Sequence, residues 1–109
     1  MTTAVFAGPD PHGLAAALED EGVTVTHVDG VASRPALEEA GICDADLFVL
    51  TDVGQATAIP IARDLVDDLR VVVYTDDSLP EFASALEVLK VDPALLDAAA
   101  VAEELVGTA

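Results

Sequence analysis

The residues able to do chemistry gather where short apolar runs end. The run Thr3 to Ala7 (TAVFA) is followed by GPDPHG, a loop bracketed by Gly8 and Gly13 with Asp10 at its centre. A loop that cradles a phosphate needs glycines for close backbone approach, free N–H donors and the positive end of a helix. Gly8 and Gly13 meet the first need, but Pro9 and Pro11 each remove a donor and Asp10 brings an anion to the mouth. The expectation is a degenerate dinucleotide site filled by its own side chain. Asp10 followed by Pro11 equally makes an ordinary helix cap and first-turn pair, with no ligand involved.

Three further loops carry oxygen ligands. Asp29, at the end of VTVTHV, is placed to accept the two hydroxyls of a ribose, and as Asp29-Gly30 it is equally a common turn dipeptide. Thr51-Asp52 and Thr75-Asp76-Asp77 end two other runs, where they would close the pocket or offer hard oxygens to a cation. Asp77-Ser78 also reads as a helix cap. No run of His, Cys and carboxylates has the spacing of a resident metal site, so no metal is expected.

The inventory for catalysis is thin. Cys43 stands beside Asp44 in an acidic stretch, a poor setting for a thiolate, and is expected to be a packing residue. His12 and His27 are the only imidazoles, and neither has a nucleophile at a recognisable spacing. The chain is therefore not expected to be an enzyme. The alternative is a small enzyme acting on a nucleotide-like substrate with Asp52, Asp76 or Lys90.

Stepwise along the chain, strand-like and helix-like patterns alternate. Strands are expected at Thr3–Ala7, Val23–Val28, Leu47–Leu50, Arg70–Tyr74 and about Val88–Val91. Between them, helical spacing runs within His12–Gly22, from Ser33 with Pro35 and Glu38 to a stop at Gly41, after Gly54 to about Asp67, and from near Ser78. Asp92-Pro93 is expected to start a last helix through Leu105. Pro60 conflicts with the third helix unless it occupies the first turn. Leu47–Leu50 is too apolar to face water on either side, which demands a parallel five-stranded sheet with helices on both faces, a three-layer α/β sandwich of Rossmann-like type. Residues 1–109 then form one domain, and its ligands should lie beyond the carboxyl ends of the strands.

Composition sets the partners. The chain has 109 residues, 4 Lys plus Arg against 21 Asp plus Glu, a net charge of −17 and an apolar fraction of 52%. Such a charge repels phosphate backbones, so nucleic acid is not an expected partner. The apolar runs are far shorter than the roughly 20 residues that span a bilayer, so no membrane insertion is expected. One cysteine and no leader-like start point to the cytoplasm. Acids scattered over helix faces are the surface style of a salt-in halophile, where a Debye length of about 3 Å at molar salt screens self-repulsion.

The segment AGICDADLFVLTDVGQATAIPIARDL at 40–65, then VVVYTDDSLPEFA and LEVLKVDPALL, resembles the nucleotide-binding N-terminal domain of regulators of potassium conductance, the TrkA-N-like family. The resemblance implies a stand-alone nucleotide-binding-like regulatory module and a homodimer. It maps the family's phosphate glycines to Gly8 and Gly13, its ribose acid to Asp29, and its third loop to Thr51 and Asp52. NAD or an adenine nucleotide is the ligand it implies, although the family's central glycine is Asp10 here. A second resemblance is to response-regulator receivers, which place an acid, a Thr and a Lys in the order Asp52, Thr75, Lys90. Receivers also need a pair of acids after the first strand to hold Mg²⁺, and Ala7 is followed here by Gly8 and Pro9. A ligand-free protein-interaction module is the remaining alternative, with an apolar patch around Leu95, Leu96, Val101 and Leu105 or a sheet edge meeting the partner.

Overall fold

The runs LFVL and RVVVY become neighbouring strands at the middle of the sheet, where both faces are covered. In the computed structural model, which describes residues 2–28, 30–84 and 86–107, five strands pair in parallel. They are β1 (Thr3–Ala7), β2 (Thr24–Val28), β3 (Leu47–Leu50), β4 (Arg70–Tyr74) and β5 (Val88–Val91), in spatial order β2-β1-β3-β4-β5. The helices are α1 (Leu14–Asp20), α2 (Arg34–Glu39), α3 (Ala58–Leu65), α4 (Glu81–Ser84) and α5 (Ala98–Gly107), with 3-10 turns at Ile42–Asp44 and Val53–Gln55.

Alternation along each strand divides the core between two faces. Phe6, Val49, Val72 and Tyr74 point to the side covered by Leu14 and Leu18 of α1 and Val101 and Leu105 of α5. Val5, Phe48, Leu50, Val71 and Val73 point to the other, against Leu37 of α2 and Ile59 and Ala62 of α3. The right-handed crossover rule explains the division. One step from β1 to β2 lays its helix on one face, and three steps in the opposite direction lay α2, α3 and α4 on the other. The result is the expected three-layer Rossmann-like α/β sandwich.

Local chemistry sets the boundaries. Ser33 caps α2 by accepting from the Ala36 N–H at 3.4 Å, with Pro35 in the first turn. Pro60 also lies in the first turn of its helix, which begins at Ala58, so the expected conflict does not arise. Two expectations are corrected. Pro93 does not open the last helix: Asp92 accepts from the Ala94 N–H at 2.8 Å and its carbonyl takes the Leu95 and Leu96 N–H groups, making a turn. Asp97 then caps α5 by accepting from Ala100 N at 2.8 Å. Cys43 is exposed rather than packed, because the short 3-10 turn that buries Ile42 points the next side chain outward.

Candidate functional site

In doubly wound sheets the ligand crevice opens where consecutive connections leave from neighbouring strands toward opposite faces. Here that point lies between β1, which feeds α1, and β3, which feeds α3. It brings Gly8 of the first loop against Thr51 and Asp52 of the third, while Asp10 and Gly13 of the first loop sit at the start of α1.

These residues satisfy one another. Asp10 accepts from the backbone N–H of Leu14 at 2.7 Å through Oδ1 and of Ala15 at 3.0 Å through Oδ2. Both carboxylate oxygens thus serve the first N–H groups of α1, the groups a bound phosphate would take. Asp10 does this from four residues before the helix, whereas the conventional N-cap position is held by Gly13 with φ 72°. A turn closed by the Gly13 N–H on the Asp10 carbonyl at 3.4 Å carries the chain from Asp10 into the helix, with the carboxylate over its end.

The third loop closes on the first. Thr51 Oγ1 donates to the Pro9 carbonyl, and the Thr51 N–H donates to the Ala7 carbonyl at 3.1 Å. Gly8 has φ 105°, and a Cβ there would overlap Thr51 Oγ1 and stand 3.1 Å from Asp52 N. Its glycine is required by the chain's own close approach, the same freedom a phosphate would need. Asp52 turns inward as well, accepting from Gly54 N at 2.9 Å to cap the 3-10 turn. Gln55 Oε1 from that turn takes the Ala32 N–H at 2.6 Å and ties in the loop after β2.

The fourth loop lies along the same edge. Thr75, the buried polar residue among those described, accepts from Asp77 N at 3.2 Å through its hydroxyl. Its carbonyl takes the Lys90 ammonium at 2.6 Å, which brings Lys90 of β5 to the carboxyl edge beside Thr75. Asp76 is exposed. Asp29 lies outside the described residues. Among the described residues no three His, Cys, Asp or Glu side chains come together to hold a metal.

One residue of this edge was missed by sequence reasoning. Tyr74 closes β4, donates its hydroxyl to the Leu96 carbonyl at 2.8 Å and packs edge-on against the His12 ring at 5.8 Å. Burial, followed by the charges of Asp97, Asp10 and Asp92, holds its phenol above the usual value. Its signal in the sequence was slight: the one tyrosine of the chain, ending an otherwise valine-rich strand.

Cavities occur elsewhere. Two, of about 300 and 460 Å³, share Asp68, Leu69 and Arg70 at the amino edge of the sheet. A third, of about 310 Å³, lies between β2 and α2 beside His27 and Glu39.

The parallel order β2-β1-β3-β4-β5 defines an α/β domain of flavodoxin-like strand order, distinct from the order 3-2-1-4-5-6 of dinucleotide-binding sheets. Residues 4–105 match a family of unknown function, DUF7126, and the chain belongs to that family. No curated protein matches it. Among solved structures, the chain is similar to a pilus assembly protein, CpaE, from Burkholderia thailandensis E264, at 20% identity over 100% of both chains and a TM-score of 0.68. It is also similar to a pilus assembly-related protein from Burkholderia pseudomallei K96243, at 21% identity over 96% of this chain and 87% of that one, with a TM-score of 0.65. At these identities the likeness concerns the fold. Among the described residues no helix is long and apolar enough to cross a membrane.

Proposed function

We propose that this chain is a regulatory protein-interaction module whose ligand crevice is closed by its own side chains. The observation that carries this reading is the Asp10 carboxylate, with one oxygen on each of the Leu14 and Ala15 N–H groups. A nucleotide entering the crevice would have to displace that carboxylate from its two N–H groups and break the Thr51 bond to Pro9. It would also meet a surface of net charge −17. The regulatory role implied by the resemblance to potassium-conductance regulators is kept, without its NAD or adenine nucleotide.

The strand order, with Asp52 after β3, Thr75 after β4 and Lys90 on β5, also supports a receiver-like descent. Phosphoryl transfer is not part of this proposal, since Gly8 and Pro9 stand where a receiver's metal-holding acids would be and Asp52 is committed to Gly54 N. In this reading the acidic surface is that of a protein working in a salt-rich cytoplasm.

The test is thermal unfolding in about molar KCl with NAD, NADH, ATP, ADP, AMP, S-adenosylmethionine, and Mg²⁺ with beryllofluoride, since a ligand of the folded state raises its stability. The expected result is the same midpoint in every case. A saturable rise with any of them, lost in Asp29→Ala or Asp52→Asn, would return the domain to nucleotide or phosphoryl sensing.

A further inference from the structure

The two edges of the sheet are guarded differently. Monomeric sheets blunt their edges with charged side chains, proline or a bulge, because unpaired strand backbone recruits another strand. β5 has Lys90 within it, Glu87 before it and Asp92-Pro93 after it. β2, at the opposite edge, reads TVTHV, a β-branched stretch with no charge, proline or glycine. Its register against β1 runs unbroken from Thr24 to Val28, so no bulge turns it away. Thr24, Thr26 and His27 are exposed.

The hydrogen-bonding phase of this edge is fixed. The Thr24 N–H donates to the Thr2 carbonyl at 3.0 Å, on the β1 side. By alternation Thr26 and Val28 also face β1, and the N–H and C=O groups of Val25 and His27 point outward. An antiparallel second copy, related by a two-fold axis at Thr26, sets Val25 opposite the other copy's His27 and His27 opposite its Val25. Both pairs are then of the kind that exchanges N–H···O=C bonds in each direction. Thr26 meets its own copy in the closer position between them, and each His27 ring lies beside a β-branched valine. Thr24 and Thr26 of the second copy come beside the cavity of about 310 Å³ that Thr26, Val28, Ala36 and Ala40 help to line.

The adjacent registers are excluded by the chain itself. An axis at Val25 would call on the Val23 N–H, which the Leu18 carbonyl holds at 3.0 Å. An axis at His27 would bring the charged Asp29 into the ladder opposite Val25. The occupant follows from this match. A strand pairing here has to be uncharged and to offer its groups in phase with Val25 and His27, and β2 meets that specification against itself, with no ionised side chain set opposite another.

We propose that β2 is the interface of a two-fold homodimer, pairing antiparallel with its copy about Thr26 to make one continuous sheet. The guarded β5 edges end the assembly at two copies. This goes beyond the closed-crevice reading and does not depend on it.

The test is sedimentation equilibrium of the intact chain in moderate and in molar KCl. The expected result is a reversible dimer, tighter in molar KCl, where repulsion between two copies of net charge −17 is screened. Thr26→Lys and Thr26→Asp each set like charges directly opposite across the axis and should weaken the dimer about tenfold or more in moderate KCl. An equimolar mixture of the two should restore it, because Lys then meets Asp. His27→Pro removes one outward N–H from each copy without touching the β1 ladder and should weaken the dimer about tenfold or more in either salt. Leu89→Ser, at a position 50% exposed on the opposite edge, should leave it unchanged. Circular dichroism establishes that the variants are folded, and the exposed Thr26 keeps its pair informative should His27→Pro fail to fold.

A monomer up to millimolar chain in both salts would overturn the proposal. So would a dimer that the Thr26 variants leave intact, one that Leu89→Ser dissociates, or a mixture of Thr26→Lys and Thr26→Asp that stays monomeric. A nucleotide-induced rise in stability with the dimer intact would overturn the closed-crevice reading and leave the β2 interface standing.

Discussion

Replacing Asp10 by Ala removes both acceptors from the first turn of α1 and leaves the Leu14 and Ala15 N–H groups without their partner. Loss of a capping side chain costs about 0.5–2 kcal/mol, and hydrogen bonds to charged groups are worth about 1.5–3 kcal/mol. Leu14 and Ala15 are buried, which limits replacement by water, whereas Asp10 itself is only half-buried and water can reach part of its place. The balance is about 2 kcal/mol of destabilisation, or about 10 °C in Tm for a chain of this length. Asp10→Asn keeps one acceptor and loses the charge, so about half of that cost is expected. Urea unfolding followed by circular dichroism in fixed KCl measures it, with an unchanged m value showing that the fold persists. Because the Asp10 charge helps raise the Tyr74 pKa, the variant should also lower that pKa, read by phenolate absorbance. A loss below about 0.5 kcal/mol, the scale of an ordinary surface substitution, would refute the claim that Asp10 closes the helix end.

Gly8→Ala must adopt φ 105° and push Thr51 aside, so a loss of about 2 kcal/mol or more is expected in the same urea assay. Tyr74→Phe forfeits the bond to the Leu96 carbonyl, about 1 kcal/mol at neutral pH. The folded phenol titrates above its unfolded value near 10.0, so the tyrosine's contribution is complete below that pH and is lost as pH rises through the folded value. Wild type should therefore lose stability in alkali more steeply than Tyr74→Phe, which is read by unfolding midpoints across that range. With a net charge of −17, the unfolding midpoint should rise from low to molar KCl, and NaCl at equal ionic strength should do the same if screening is the cause.

Much of the fold was legible because the signals were local. LFVL and RVVVY announced strands buried on both faces, Ser33 and Pro35 announced a helix start, and Gly41 marked where that helix stops. The spatial order was not legible, since a β-α repeat with right-handed crossovers is satisfied equally by 2-1-3-4-5 and by 3-2-1-4-5, and the choice depends on packing between distant elements. The turn at 92–97 was missed because Asp92-Pro93 and Asp97 both have caps' chemistry, and only tertiary contacts decide which starts α5. At the crevice, Asp10 advertised an anion at the loop mouth. Which N–H groups it meets is decided within five residues by how the loop turns back on the helix, whereas the seating of Gly8 against Thr51 depends on contacts across 42 to 44 positions of chain, beyond any local pattern.

The most direct measurement is an amide NMR titration of the ¹⁵N-labelled chain in about molar KCl with NAD, ATP and Mg²⁺–beryllofluoride. A closed crevice predicts that the amide signals of Gly8, Asp10, Gly13, Thr51, Asp52 and Thr75 stay in place up to millimolar additions. Saturable shifts gathered on those residues would contradict it and show that a ligand displaces Asp10 from the α1 N–H groups.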